Sequence, residues 1–157
     1  NVYSEVGKGA VFNVFLPASE KMPAQNKIAH EKIQTGKETI LMVDDEKMII
    51  GVGREMLTSM GYQVITADNG VTALEIVNAR KAEIDVVILD MIMPKLSGRQ
   101  TFEQLKSIAP DIKVILSSGY SIEGDASEIM EKGCNGFVQK PFSMETLSNK
   151  IREVLDG

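Results

Sequence analysis

From residue 39 onward, short apolar runs alternate with stretches whose apolar residues recur every three or four positions. The clearest run is Val86-Val87-Ile88-Leu89, four aliphatic residues with no polar alternation, the pattern of a strand covered on both faces. It ends in Asp90 and is closed by Pro94 and Ser97-Gly98, because proline disfavours a helical Met93 and Ser-Gly offers a loop and a cap. Comparable runs predict five strands, over residues 39–43, 62–66, 85–89, 112–117 and the short 136–138. Between them, Ile49, Val52, Met56, Leu57 and Met60 mark a first helix ended by Gly61, and Val71, Leu74 and Val77 a second entered through Asp68-Asn69-Gly70. A third spans 99–108 up to Pro110, and a fourth carries Ala126, Ile129 and Met130. A fifth turns Leu147, Ile151, Val154 and Leu155 inward, with Ser143 as its cap and Glu145 in its first turn. Such alternation implies right-handed crossovers and an α/β fold: a doubly wound five-stranded parallel sheet with helices on both faces.

In the flavodoxin-like strand order 2-1-3-4-5, the first and third strands are neighbours and the chain reverses direction between them. Open sheets of this kind bind ligands at that switch point, outside the carboxyl ends of the strands. Asp44 and Asp45 follow the first strand there, and Asp90 the third. Three carboxylates in one pocket repel by a few kcal/mol per pair, so either one is protonated or a cation is bound. Ser118, with Gly119 behind it, follows the fourth strand, and Lys140, locked by Pro141, follows the fifth. Carboxylate and carbonyl oxygens suit Mg2+, which takes few protein ligands and keeps several waters. A carboxylate nucleophile, Mg2+, an ammonium and a hydroxyl are the parts needed for phosphoryl transfer to aspartate. Taken singly, each residue also has a plain structural reading: Lys140 as a surface lysine at a helix entry, Ser118 as a turn former, Asp44-Asp45 as an N-terminal cap pair. Their joint placement at four strand ends is what favours the chemical reading.

Composition narrows the partners. A length of 157 residues allows one domain with appendages, and a formal charge of -5 argues against a nucleic-acid surface, which needs clustered Lys and Arg. The single cysteine, Cys134, excludes an internal disulfide, suits a reducing compartment and reads as packing. No apolar run is long enough to cross a bilayer, and no signal-peptide pattern opens the chain. The nine methionines read as adaptable core filler.

The N-terminal segment has a different character. Ser4-Glu5-Val6-Gly7-Lys8-Gly9 is a glycine turn, and Ala10-Val11-Phe12-Asn13-Val14-Phe15-Leu16-Pro17 an apolar strand stopped by proline. Gly-Lys-Gly is too short for a phosphate loop and lacks its following Ser or Thr. The segment resembles the closing strands of the ATP-binding domain of sensor histidine kinases, where Ser-Glu-x-Gly-Lys-Gly leads into Phe-x-Val-x-Leu-Pro. The resemblance implies that residues 1–17 are the remnant of such a domain. The nucleotide-binding boxes are missing, so this chain is not expected to bind ATP or to be a kinase by itself. Residues 18–37 are polar and lack sustained periodicity, as a linker would. His30-Glu31 lies there without the helical context of a phosphoacceptor histidine and reads as a solvated linker histidine.

Residues 38–157 resemble the receiver domain of two-component response regulators. The resemblance rests on Val43-Asp44-Asp45-Glu46, Leu89-Asp90-Met91-Ile92-Met93-Pro94 with Ser97-Gly98, Ser118-Gly119, Gly136-Phe137 and Lys140-Pro141-Phe142. It implies that Asp90 is the phosphoacceptor and Asp45 a direct Mg2+ ligand, with Asp44 acting through water and the backbone carbonyl of Ile92 completing the protein ligands. Lys140 would pair with the phosphoryl group. Ser118 would be the mobile hydroxyl and Phe137 the aromatic switch, at a position often held by tyrosine. Tyr120 and Ile92 would flank the pocket and tune dephosphorylation. The implied setting is a receiver at the C-terminal end of a hybrid sensor kinase, in the cytoplasm whether or not the parent kinase is membrane-anchored. A phosphohistidine domain would donate to Asp90 and reset the face of the fourth helix, fifth strand and fifth helix. With no output domain after Gly157, the phosphoryl group is expected to pass to a histidine phosphotransfer protein or to feed back on the kinase. The competing reading is a receiver-like docking module that regulates its kinase without phosphorylation. An aspartyl phosphatase would want a second acid where Ile92 stands, and a flavodoxin a Ser/Thr/Gly-rich loop in place of Asp44-Asp45-Glu46.

Overall fold

Fully apolar strand segments need cover on both faces, and the architecture supplies it. The structure, a computed structural model, describes residues 1–16, 33–119 and 125–157, with backbone alone for 125–127. Strands β1 (Val2–Glu5) and β2 (Gly9–Phe12) pair antiparallel as a hairpin of exposed residues. The main unit runs β3 (Thr39–Val43), α1 (Lys47–Ser59), β4 (Gln63–Ala67), α2 (Gly70–Arg80), β5 (Val86–Asp90), α3 (Gly98–Ile108), β6 (Lys113–Ser118), α4 (Asp125–Glu131), β7 (Gly136–Gln139) and α5 (Met144–Asp156). Its sheet is all parallel in the order β4-β3-β5-β6-β7, which is the expected 2-1-3-4-5.

Successive strand residues serve opposite cores. Leu41, Val43, Val87, Leu89, Val114 and Leu116 meet Ala73 and Val77 of α2, Phe102 and Leu105 of α3, and Ile129 of α4. Ile40, Met42, Val86, Ile88, Ile115 and Val138 meet Leu57 of α1 and Leu147, Ile151 and Val154 of α5. Each buried Val, Leu, Ile, Met or Phe among them contributes about 1.5–3 kcal/mol of transfer free energy. Helix entries are fixed locally. Asn69 accepts from the Thr72 amide and Ser143 from the Thr146 amide, and Ser97 with Gln100 forms a reciprocal capping box.

Several element boundaries differ from the sequence expectation. Asp90 and Ser118 are the last residues of their strands rather than the first beyond them, because both still pair in the ladder, Asp90 with Ser117 and Ser118 with Gln139. The second strand of the alternation starts at Gln63, since Gly61, at φ 95°, swings the chain and leaves Tyr62 buried in the turn. Val52 and Val71 share the helical spacing yet stand about half exposed. Gly53 brings α1 so close to Met42 that a Cβ there would collide with its sulfur, which turns Val52 aside. The N-terminal apolar strand stops at Phe12 rather than running to Leu16, and it pairs across the glycine turn with Val2–Glu5. Pro17, His30 and Tyr120 lie outside the described residues. Residues 33–37, expected as the end of a linker, pack on the body: the Gln34 amide donates to Ser148 Oγ at 3.2 Å and the Gly36 amide to the Met60 carbonyl at 3.0 Å. Among the described residues, no helix is long and apolar enough to cross a membrane.

Candidate functional site

Three strand ends carry the acids and the ammonium to one place. Asp44 and Asp45 leave β3, Asp90 ends β5, and Lys140 follows β7. Carboxylate oxygens of Asp44, Asp45 and Asp90 lie within 4.8 Å of one another. Lys140 Nζ stands 2.6 Å from Asp44 Oδ2 and 2.8 Å from Asp90 Oδ1. The remaining oxygens take backbone donors: Asp44 Oδ1 accepts from the Glu46 amide at 3.0 Å, and Asp90 Oδ2 from the Ile92 amide at 3.3 Å. Neither aspartate caps α1, whose N-terminal cap position is Glu46; Asp44 instead closes a local turn onto the Glu46 amide.

Asp44 and Asp90 are buried, whereas Asp45 is exposed at the mouth. Burial pushes the Asp90 carboxyl above its usual range. The hydrogen bond and charge of Lys140 pull it back only in part, and the Asp44 charge adds to the rise. For Lys140 burial disfavours the ammonium, but the hydrogen bonds to Asp44 and Asp90 outweigh it and hold the group above its ordinary value. Asp45, Glu46, Ile49, Asp90, Ile92, Gly119, Lys140 and Pro141 line an open cleft of about 520 Å³.

The loop above the acceptor is clamped from the far side. The Gly98 amide donates to the Met91 carbonyl at 3.0 Å, and a Cβ on Gly98 would run into the Asp90 carbonyl oxygen. Glycine at the start of α3 therefore lets helix and loop touch. Ser118 is buried in β6, and its carbonyl accepts the Lys140 amide at 2.7 Å, which ties the strand end to the lysine's backbone. Phe137 is half-buried against the α2–α3–α4 core, and Ile92 is 61% exposed beside Asp90. The residue that sequence reasoning missed is Ser117. It pairs in register with Asp90 and is buried, and the alternation of β6 puts it on the same sheet face as the acceptor.

The donor set suits a hard cation. Three carboxylates face one ammonium, so two negative charges remain to be offset, and all the oxygens are of the kind that divalent magnesium or calcium takes. The acidic cluster, with a lysine bridging two of its members, stands at the carboxyl ends of a doubly wound parallel sheet, where open α/β domains bind their ligands.

The model for the response regulator receiver domain matches residues 40–152, and the chain belongs to that family. It is 36% identical over 162 residues to the sensor kinase CckA of Brucella abortus, an alignment that covers 98% of this chain and 17% of the kinase. The chain therefore spans a small part of that relative. A response regulator receiver domain protein from Clostridium thermocellum superposes with a TM-score of 0.73 at 34% identity, covering 76% of this chain and 94% of that one. The CheX-CheY-BeF3-Mg2+ complex from Borrelia burgdorferi contains a chain that matches with a TM-score of 0.72 at 26% identity, over 74% of this chain and 88% of its own. This is a receiver domain of a two-component system.

Proposed function

We propose that this receiver accepts a phosphoryl group from a phosphohistidine on Asp90. The observation that carries the reading is Lys140 Nζ bridging Asp44 and Asp90 inside the acidic cluster, at 2.6 and 2.8 Å. An Asp90 oxygen attacks phosphorus while the P–N bond to the donor imidazole breaks and the released nitrogen takes up a proton. Lys140 is placed to follow the charge, leaving the carboxylates for the more strongly charged phosphoryl oxygens. Mg2+, held by Asp45, Asp90, the Ile92 carbonyl and, through water, Asp44, would offset charge on the transferring group. Ile49, Val52, Met56, Pro141 and Phe142 form an apolar ledge beside the cleft, a seat for the helix of a donor domain.

Ser118 and Phe137 are the proposed switch residues, and the face of α4, β7 and α5 is the proposed readout. Swinging a two-state domain from mostly inactive to mostly active takes about 5.5 kcal/mol. One charge-assisted hydrogen bond supplies about 1.5–3 kcal/mol, so the Ser118 contact must act with others. For the longer protein we assign residues 1–17 to a histidine kinase ATP-binding domain, 18–37 to a linker and 38–157 to the receiver of a hybrid sensor kinase. The alignment with a sensor kinase runs through 98% of the chain and so includes nearly all of the N-terminal segment, which supports that assignment. A cytoplasmic setting and onward transfer to a histidine phosphotransfer protein belong to the same proposal.

The test is intact-mass measurement after incubation with acetyl phosphate and Mg2+. The full chain is expected to gain one phosphoryl group, and Asp90→Asn none. A wild-type chain that stays unmodified would favour the docking module instead.

A further inference from the structure

The residues just before β3 do not hang free. Gln34 crosses to α5, its amide donating to Ser148 Oγ at 3.2 Å and its Nε2 to Asn149 Oδ1 at 3.1 Å. Ser148 is fully buried, and its hydroxyl donates in turn to the Glu145 carbonyl at 3.3 Å, so the segment is bonded to a buried side chain of the helix and, through an exposed bond, to Asn149. Two residues on, the Gly36 amide donates to Met60 at the end of α1, and Gly36 lies so close to the Tyr62 ring that a Cβ there would collide with it. Gly61 faces the Gly36 carbonyl just as closely. Glu38 closes the segment with an ion pair to Arg152 of α5 at 2.8 Å, and Arg152 lies 5.9 Å from the centre of the Tyr62 ring. The segment is therefore laced to α1 and α5 at once.

The same helix α5 is tethered to the acceptor through its N-terminal end. Lys140 leads through Pro141 and Phe142 to Ser143, the cap of α5, and Phe142 and Met144 pack into the core shared by α1 and α5. Ser59 of α1 lies 3.9 Å from the Met144 sulfur. A change in what Lys140 binds is thus three residues away from the start of the helix that holds Gln34.

We propose that the groove between α1 and α5 is a docking surface for the chain's own residues 33–38, and that the seating of this strap follows the state of Asp90 through Lys140 and α5. The proposal rests on Asp90 as acceptor. When Lys140 moves toward a phosphoryl group, the segment 140–143 shifts the first turns of α5 and with them Ser148 and Asn149. The bond from Gln34 Nε2 to Asn149 is exposed, so this end of the strap belongs to the part of the molecule that opens most readily. Coupling between sites is reciprocal, and the linker's hold on α5 biases the acceptor in return. The junction to the N-terminal segment becomes a reporter of the acceptor rather than a passive tether.

Hydrogen exchange on the full chain tests this, with peptides covering 33–38 followed before and after treatment with acetyl phosphate and Mg2+. Intact mass is read on the same samples. Exchange in that segment is expected to change by about fivefold or more, the low end of coupling between sites, and to stay constant in Asp90→Asn. Ser148→Ala should raise exchange there by a similar factor before any treatment and abolish the response. A phosphorylated chain with unchanged exchange across 33–38, or a Ser148→Ala chain that exchanges like wild type, would overturn the coupling while leaving Asp90 as acceptor. Absence of the mass gain would overturn both.

Discussion

Asp90 holds a charge where its surroundings resist one. Burial raises its pKa, which means that the native state binds the proton more tightly than the unfolded chain does. Stability from this group therefore falls as the pH rises through its range, and at neutral pH its ionised form is a net burden on the fold. Asp90→Asn is expected to raise the denaturation midpoint at neutral pH without divalent cations. Lys140→Met does the opposite, because it leaves buried Asp44 and Asp90 facing each other without a cation. A loss of about 3 kcal/mol is expected, the lower end for removing one partner of a buried pair. Urea unfolding of the two variants beside wild type measures both, and a destabilised Asp90→Asn chain would show that burial of the ionised carboxylate does not burden the fold.

Among elements, the tie between the entry of β3 and α5 is open to pH. The Arg152 hydrogen bond holds Glu38 below its ordinary value, with burial opposing it. Glu38 thus contributes stability that is present above the usual glutamate range and is lost as the pH falls through its lowered value. Glu38→Gln is expected to cost about 1–2 kcal/mol at pH 7, the scale of a charged hydrogen bond that is partly exposed, with the gap to wild type closing as the medium is acidified below that range. That the main sheet is parallel and covered was legible in the chain, because Val86 to Leu89 face helices on both sides and carry no polar residue, whereas its strand order was an assumed one that the ladder pairing bears out. The cap at Ser143 was legible because its bond to the Thr146 amide is local. The strap was not, since Gln34 finds Ser148 across 114 residues and nothing in a polar stretch announces a distant partner. Val52 misled for a related reason: helical spacing gives the stripe, but the close approach at Gly53 decides which side of the stripe is covered. At the acceptor, the acids and lysine were legible as residues at strand ends, whereas Ser117 needed the ladder register.

Among the described residues, a covered sheet is accompanied by an exposed hairpin. Val2, Tyr3, Val11 and Phe12 of the hairpin, with Phe15 and Leu16 just beyond, are all more than half exposed. Two strands alone are marginal in water, and both outer edges offer unpaired backbone groups. The chain is expected to self-associate as concentration rises, and a Val11→Thr, Phe12→Ser double variant to remain monomeric, as followed by light scattering. A wild-type mass independent of concentration would show that the hairpin recruits no second copy. The acceptor has the reverse situation. It rides on the middle strand of five, zipped to a parallel neighbour on either side, so fraying that begins at the rim of the molecule exhausts the outer strands before it reaches the seat of the chemistry. Loss of β4 at one margin leaves the seat of Asp90 in place, whereas loosening of β7 at the other carries Lys140 away from it, so the two rims of the sheet are unequal in what their wear costs the reaction.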